Sequence, residues 1–418
     1  MKVMVLGGGS NQIDMIKKAK EQGDEVLLID YLPNCPGKEF ADKHLLISTF
    51  DSDAIIKAAK EHNVDAIVTA GTDQPVLSAA IASQELGLVF YIDKITAKAV
   101  TNKIVMKSIF KENNIPSVNY SLIKKDFKDS ELSSLKLPVV LKPVDSQGQR
   151  GIYKLNSVDE VRNKVADTLS YSREDKALVE EFYENDEITV NGWVSNGILK
   201  IISVVDRVTI KRDNHIGICL CHNFPSVHLE KYNDDINRIT QRIVTSFNIE
   251  NGPIYFQYLI GKGGIKVNEI AMRIGGAYEG ITIPIIADID ILKMVLDYTK
   301  HYIIDNTTLL DYSLDNNNVF LSTQLFFCNS GTISHMTPIE DILNMPCVKA
   351  ARYEYKVGDV IKPLVNATAR AGYIIIEGNS FDNMIDNIDN VFENIKILDK
   401  EGNNLIIKYS DYKNKYLF

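Results

Sequence analysis

The chain has 418 residues, 45% hydrophobic and 24% charged, with a formal net charge of −9. Ordinary globular proportions over this length call for two or three domains, and the acidic balance argues against nucleic acid as the main partner. Five scattered cysteines imply no disulfide framework. No run nears the ~18 to 20 apolar residues of a membrane span and the N-terminus lacks a signal-peptide pattern, so a cytoplasmic protein with no membrane partner is expected.

In the first hundred residues "KVMVLGG" reads as a buried strand, "QIDMIKKAKEQG" as an amphipathic helix stopped by glycine and "EVLLIDY" as a second strand. "SDAIIKAAKEHN", "VDAIVTAGT" and "PVLSAAIASQELGL" continue as helix, strand and helix. This order predicts a parallel, doubly wound α/β domain. Its first turn, "VLGGGSNQI", puts Gly7 and Gly9 at the first two glycines of a dinucleotide fingerprint, with Asp30 where a ribose-binding acid would stand. Gln12 replaces the third glycine. Two readings therefore stand, a nicotinamide-dependent oxidoreductase or a substrate-binding turn with Gly9 and Ser10 against the ligand.

"TNKIVMKSIFKENNIP" predicts a helix with Lys103 and Lys107 four apart on one face. From about residue 137, strand-like runs separated by turns predict antiparallel sheets with interspersed helices, an α+β region. "LPVVLKPVDSQGQRGI" ends a strand at Lys142 and runs on through Ser146, Gln147, Gly148, Gln149, Arg150 and Gly151. Small, flexible residues let backbone N–H groups approach an anion, and Lys142 and Arg150 add charge. "ALVEEFYENDEITV" puts Glu180 and Glu181 at the end of an apolar strand, followed by Phe182, with Glu187 at the start of the next.

"DRVTIKRDNH" offers Arg207 as a candidate contact to substrate. "GICLCHNFPSVH" gathers Cys219, Cys221, His222 and His228 but lacks the paired spacing of a zinc site. Strand alternation would point both cysteines one way, as in a core. "GPIYFQYLIGKGGIKVNEIAMRIGG" is a hairpin. Centred on Gly263, it sets Gln257 opposite Glu269 at ~5 Å, within reach of one divalent cation. Glu269, Ala271 and Arg273 share one strand face, and Gly275 and Gly276 would let backbone approach a substrate. Beyond residue 306, "LLDYSLDNNNV" reads as a polar loop and "SFDNMIDNIDNVFENIKI" as a long helix.

This order of features resembles the ATP-grasp superfamily along essentially the whole chain, and in particular its carboxylate–amine ligases: biotin-carboxylase-like, L-amino acid ligase-like and carbamoyl-phosphate-synthase large-subunit-like members. "YKVGDVIKPLVNATARAGYIIIEGNS" looks like the C-terminal part of the first two. The resemblance implies a pre-ATP-grasp α/β domain over residues 1–97, a nucleotide-binding region over 98–305 with a mobile lid subdomain at about 118–184, and a C-terminal α+β part over 306–418. It implies ATP and Mg2+, or Mn2+ in its place.

In such a protein Lys103 and Lys142 would contact the phosphates or the adenine. Ser146, Gln147, Gly148, Gln149 and Gly151 would fold over the triphosphate. Glu180, Glu181 and Phe182 would form the adenine hinge, and Glu187 would hold the ribose. Gln257 and Glu269 would bind metal, and Arg273 would face the reacting group, with Lys142 and Glu269 beside it in catalysis. The implied reaction makes an acyl phosphate from a small-molecule carboxylate and joins it to an amine, releasing ADP and phosphate. A homodimer is compatible with it. The chain departs from the pattern at Gln257, where many members have Glu, and at Ala271, where many have Asn. The number of metal ions stays open, and a nucleotide-binding regulator without chemistry stands beside the oxidoreductase as an alternative.

Overall fold

The computed structural model describes residues 1–146, 148–212, 215–364 and 366–407. The chain forms two compact units, Met1–Val204 with His228–Asn316, and Val205–Val227 with Asn317–Phe418.

The first unit opens with β1 (Lys2–Leu6), β2 (Glu25–Ile29), β3 (Lys43–Leu45) and β4 (Ala66–Val68), all parallel, in the order β3-β2-β1-β4. Val3, Met4, Val5 and Leu6 are fully buried, as expected of a parallel strand covered on both faces. Helices α1 (Ile13–Glu21), α2 (Ser52–His62) and α3 (Gln74–Leu86) connect them. Asp51 caps α2 by accepting from the Ala54 N–H, and left-handed Gly87 ends α3. Two helices follow, α4 (Lys94–Thr101) and α5 (Lys103–Glu112). The Asn102 side chain accepts from the N–H groups of Ile104 and Val105 and so fixes where α5 begins.

Next comes a four-stranded antiparallel sheet in the order β5 (Tyr120–Ile123), β8 (Ala177–Glu181), β6 (Val139–Pro143), β7 (Tyr153–Leu155), with α6 (Val158–Ser170). It has a core of its own, with Ile123, Val139, Leu141, Val161, Val165 and Val179. Alternation along β6 puts Val139 and Leu141 into that core and turns Lys142 to the other face. Also in this unit, β9 (Asp186–Ser195), β12 (Asn251–Gly261) and β13 (Gly264–Ala271) form an antiparallel set with β12 in the centre. The helices α7 (Leu229–Ser246), α8 (Glu279–Ala287) and α9 (Ile291–His301) follow. The polar stretch after residue 306 contains a short helix, Thr307–Asp311, where a loop is expected from sequence. It buries Leu309, an anchor that the surrounding polarity hides.

The second unit is built on antiparallel pairing of His215–Phe224 with Phe320–Phe326, of Phe320–Phe326 with Gly372–Gly378, and of Gly372–Gly378 with Val348–Tyr353. The helix Phe381–Asn394 packs its Met384, Ile388 and Val391 stripe into the core with Phe326, Ile374 and Ile376.

Candidate active site

The site grows from β6, β8 and α5. Val140 of β6 pairs with Glu180 of β8, and Lys142 pairs with Leu178. Lys142 and Glu180 are thus diagonal neighbours on one face, a separation long side chains bridge. Lys142 Nζ lies 2.6 Å from Glu180 Oε2 and donates to Asn268 Oδ1 at 3.0 Å. Lys107 Nζ reaches the other oxygen, Glu180 Oε1, at 2.6 Å. That contact is an ion pair without hydrogen-bond geometry. Burial alone would raise the Glu180 pKa, but Lys107 and Lys142 together hold it down at about 2. Burial also works against the Lys142 charge, but Glu180, Glu269 and Glu187 outweigh it and its pKa is raised.

Lys103, the first residue of α5, donates to the Ser146 carbonyl at 3.2 Å and stands 3.9 Å from Glu269. Gln257 and Glu269 are register partners, as the hairpin spacing predicts. The turn itself is tighter than a hairpin centred on Gly263. Gly261 pairs with Gly264 and Tyr258 with Val267, and a bulge at Asn268 restores the match of Gln257 to Glu269. The extra residue re-aims its own side chain, which is why Asn268 meets Lys142. Sequence spacing gives no sign of it.

Gln257 donates its amide to Glu187 at 2.6 Å, which leaves its carbonyl oxygen as the atom available to a cation. One carboxylate and one amide oxygen fit a Mg2+ ion that also takes nucleotide phosphate and water. Glu187, expected at a ribose, accepts that hydrogen bond from Gln257.

The remaining candidates are placed as follows. Glu181 accepts from the Lys136 N–H at 2.9 Å and from Asn119 at 3.0 Å. The Phe182 N–H donates to the Pro138 carbonyl, and Lys154 stacks 3.7 Å over its ring. In the loop, Gly148, Gln149 and Gly151 have left-handed φ values of 68°, 57° and 68°. A Cβ at residue 151 would lie 2.6 Å from the Tyr171 ring, so packing on α6 demands this glycine. Gln147 lies outside the described residues.

β13 ends at Ala271, so Arg273 falls in the bend after the strand and does not continue the Glu269 face. Its Nε and Nη2 both reach Asp73 Oδ1 at 2.6 Å, and its guanidinium lies 4.7 Å over the Tyr255 ring. Asp73 lies 200 residues away in sequence, beyond any local pattern. A side chain at Gly275 would run into the Glu279 carboxylate, and one at Gly276 would come 2.7 Å from the Gly71 carbonyl. These glycines therefore let protein pack on protein.

Gly9 caps a short 3-10 turn, Ser10–Gln12. The Gln12 side chain lies over Gly7 and Gly9 and donates to the Ala70 carbonyl at 2.5 Å. The Asp30 carboxylate accepts from the N–H groups of Gly8 and Leu32. The glycine cradle is filled and the acid engaged, so the turn does not favour a dinucleotide.

In the second unit Arg207 pairs in register with His222 and donates to the Gly217 carbonyl at 2.8 Å. Burial, with Arg207 and Arg370 nearby, pushes the His222 pKa down to about 3 and keeps it neutral.

The fold is that of an ATP-grasp domain. Residues 135–280 match the ATP-grasp domain and residues 324–398 match the L-amino acid ligase C-terminal domain 2, so the chain carries both. A carbamoyl-phosphate synthase of Methanobrevibacter smithii is 27% identical over 203 residues, 47% of this chain. That stretch spans 53% of the relative, about half its length. A phosphoribosylamine–glycine ligase of Methanocaldococcus jannaschii is 26% identical over 312 residues, covering 66% of this chain and 68% of the relative. The crystal structure of an L-amino acid ligase from Bacillus licheniformis shares the fold, with TM-score 0.79 and 16% identity over 96% of this chain and 98% of that one.

Proposed function

We propose that the protein is an ATP-dependent carboxylate–amine ligase that releases ADP and phosphate. The observation that carries this reading is the convergence of three contacts, Lys142 on Asn268, Lys103 on Glu269, and Gln257 paired with Glu269. Cations there suit a polyphosphate, and the amide–carboxylate pair suits its metal. When bound, Mg2+ would neutralise charge on the nucleotide phosphates, held by Glu269 and the Gln257 carbonyl.

Lys103 and Lys142 would orient the triphosphate and stabilise charge as a substrate carboxylate oxygen attacks the terminal phosphorus and ADP departs. The resulting acyl phosphate is open to attack by an amine at its carbonyl carbon, with phosphate as the leaving group. The loop over residues 146–151 would exclude water that would otherwise hydrolyse it. Arg273, tied to Asp73, would fix the bend after β13. The match to an L-amino acid ligase C-terminal domain supports an amino acid as the carboxylate.

With ATP, an amino acid and hydroxylamine in place of the natural amine, the expected products are a hydroxamate, ADP and phosphate. Release of AMP and pyrophosphate would overturn the acyl-phosphate route.

A further inference from the structure

The proposed reaction gives Lys107 no role. This residue lies on the buried face of α5, 1% exposed, above the Phe110 ring, and its charge ends on Glu180, itself 2% exposed. Burying an ammonium is unfavourable, and a methionine would fill nearly the same space, so packing alone does not account for a lysine here. What the lysine changes is the charge balance. Without it, Lys142 and Glu180 would form a neutral pair, and a phosphate would have to compete with the carboxylate for the Lys142 ammonium. With it, Glu180 is neutralised from the buried side. The net positive charge then belongs to Lys142, which is 14% exposed and already turned toward Asn268.

We infer that Lys107 is a positioning residue for nucleotide binding: by neutralising Glu180 from behind, it leaves the Lys142 charge free for the phosphates. The inference rests on the ATP reading above.

The test compares four proteins by calorimetry with a non-hydrolysable ATP analogue and Mg2+, and by steady-state kinetics. Lys107→Met should weaken nucleotide binding about tenfold. It should raise the KM for ATP by a similar factor while leaving the KM for the carboxylate within about twofold. Lys107→Arg should restore binding to within about threefold of wild type. The double variant Lys107→Met/Glu180→Gln, which removes both buried charges, should bind at least about threefold more tightly than Lys107→Met, because Glu180 no longer competes for Lys142.

Unchanged affinity in Lys107→Met, or a double variant as weak as the single one, would overturn the inference. If Lys107→Met does not fold, Lys107→Gln takes its place: about tenfold weaker binding supports the inference and unchanged binding overturns it. Wild-type protein that fails to bind the analogue would instead overturn the nucleotide reading itself.

Discussion

Two buried ion clusters in the first unit are built on opposite plans. In one, a single carboxylate, Glu180, holds two ammonium groups, and the outer one belongs to Lys142 at the candidate site. In the other, one oxygen of Asp73 takes both Nε and Nη2 of a single guanidinium, with an aromatic ring on the remaining face. The first carries a surplus positive charge and the second is closed. A surplus can be handed to an incoming polyanion, whereas a closed pair fixes two segments together. On the proposed reading, recognition falls to the lysines and construction to Arg273, although the sequence motif sets Arg273 beside Glu269.

The most severe break should come on the open side. Glu269→Ala removes the one carboxylate of the proposed metal pair, and ADP release should fall by on the order of 10^3-fold with thermal unfolding shifted by no more than about 2 °C. Retained turnover would remove the metal from Glu269. On the closed side the effect should appear in stability. Asp73→Asn leaves the buried Arg273 charge without its carboxylate and should cost about 2 kcal/mol, a value reduced because Asp73 is one-fifth exposed. Urea unfolding measures this, and an unchanged midpoint would mean the pair holds nothing together.

Acid should separate the two clusters more finely. The folded pKa of Glu180 lies below its ordinary value. Its contribution to stability is therefore complete above about pH 4.5 and is lost as pH falls toward about 2. Glu180→Gln should flatten the unfolding free energy in that window, and a curve that keeps its slope would contradict the charged triad. The mildest effect should be in the loop. Amide exchange over residues 148–151 should slow roughly tenfold with MgATP, and equal rates in both states would argue against a lid.

The parallel sheet could be read from sequence because strands buried on both faces are apolar without interruption. The match of Gln257 to Glu269 could be read because hairpin spacing is arithmetic. What remained hidden depended on partners. The bulge at Asn268 arises from the pairing of two strands, the Asp73 contact from a loop far away in the chain, and the role of Glu180 from a helix that precedes its strand. Glycines 275 and 276 invite a ligand on paper because sequence cannot say that Glu279 and Gly71 occupy the space.

The bulge has a practical consequence for engineering. It separates turn length from site register, so the exposed tip at Lys262 can carry a small fluorescent reporter without displacing Gln257 from Glu269. Deleting Asn268 would remove the bulge and leave Glu269 directly opposite Gln257, but would take away the amide that meets Lys142.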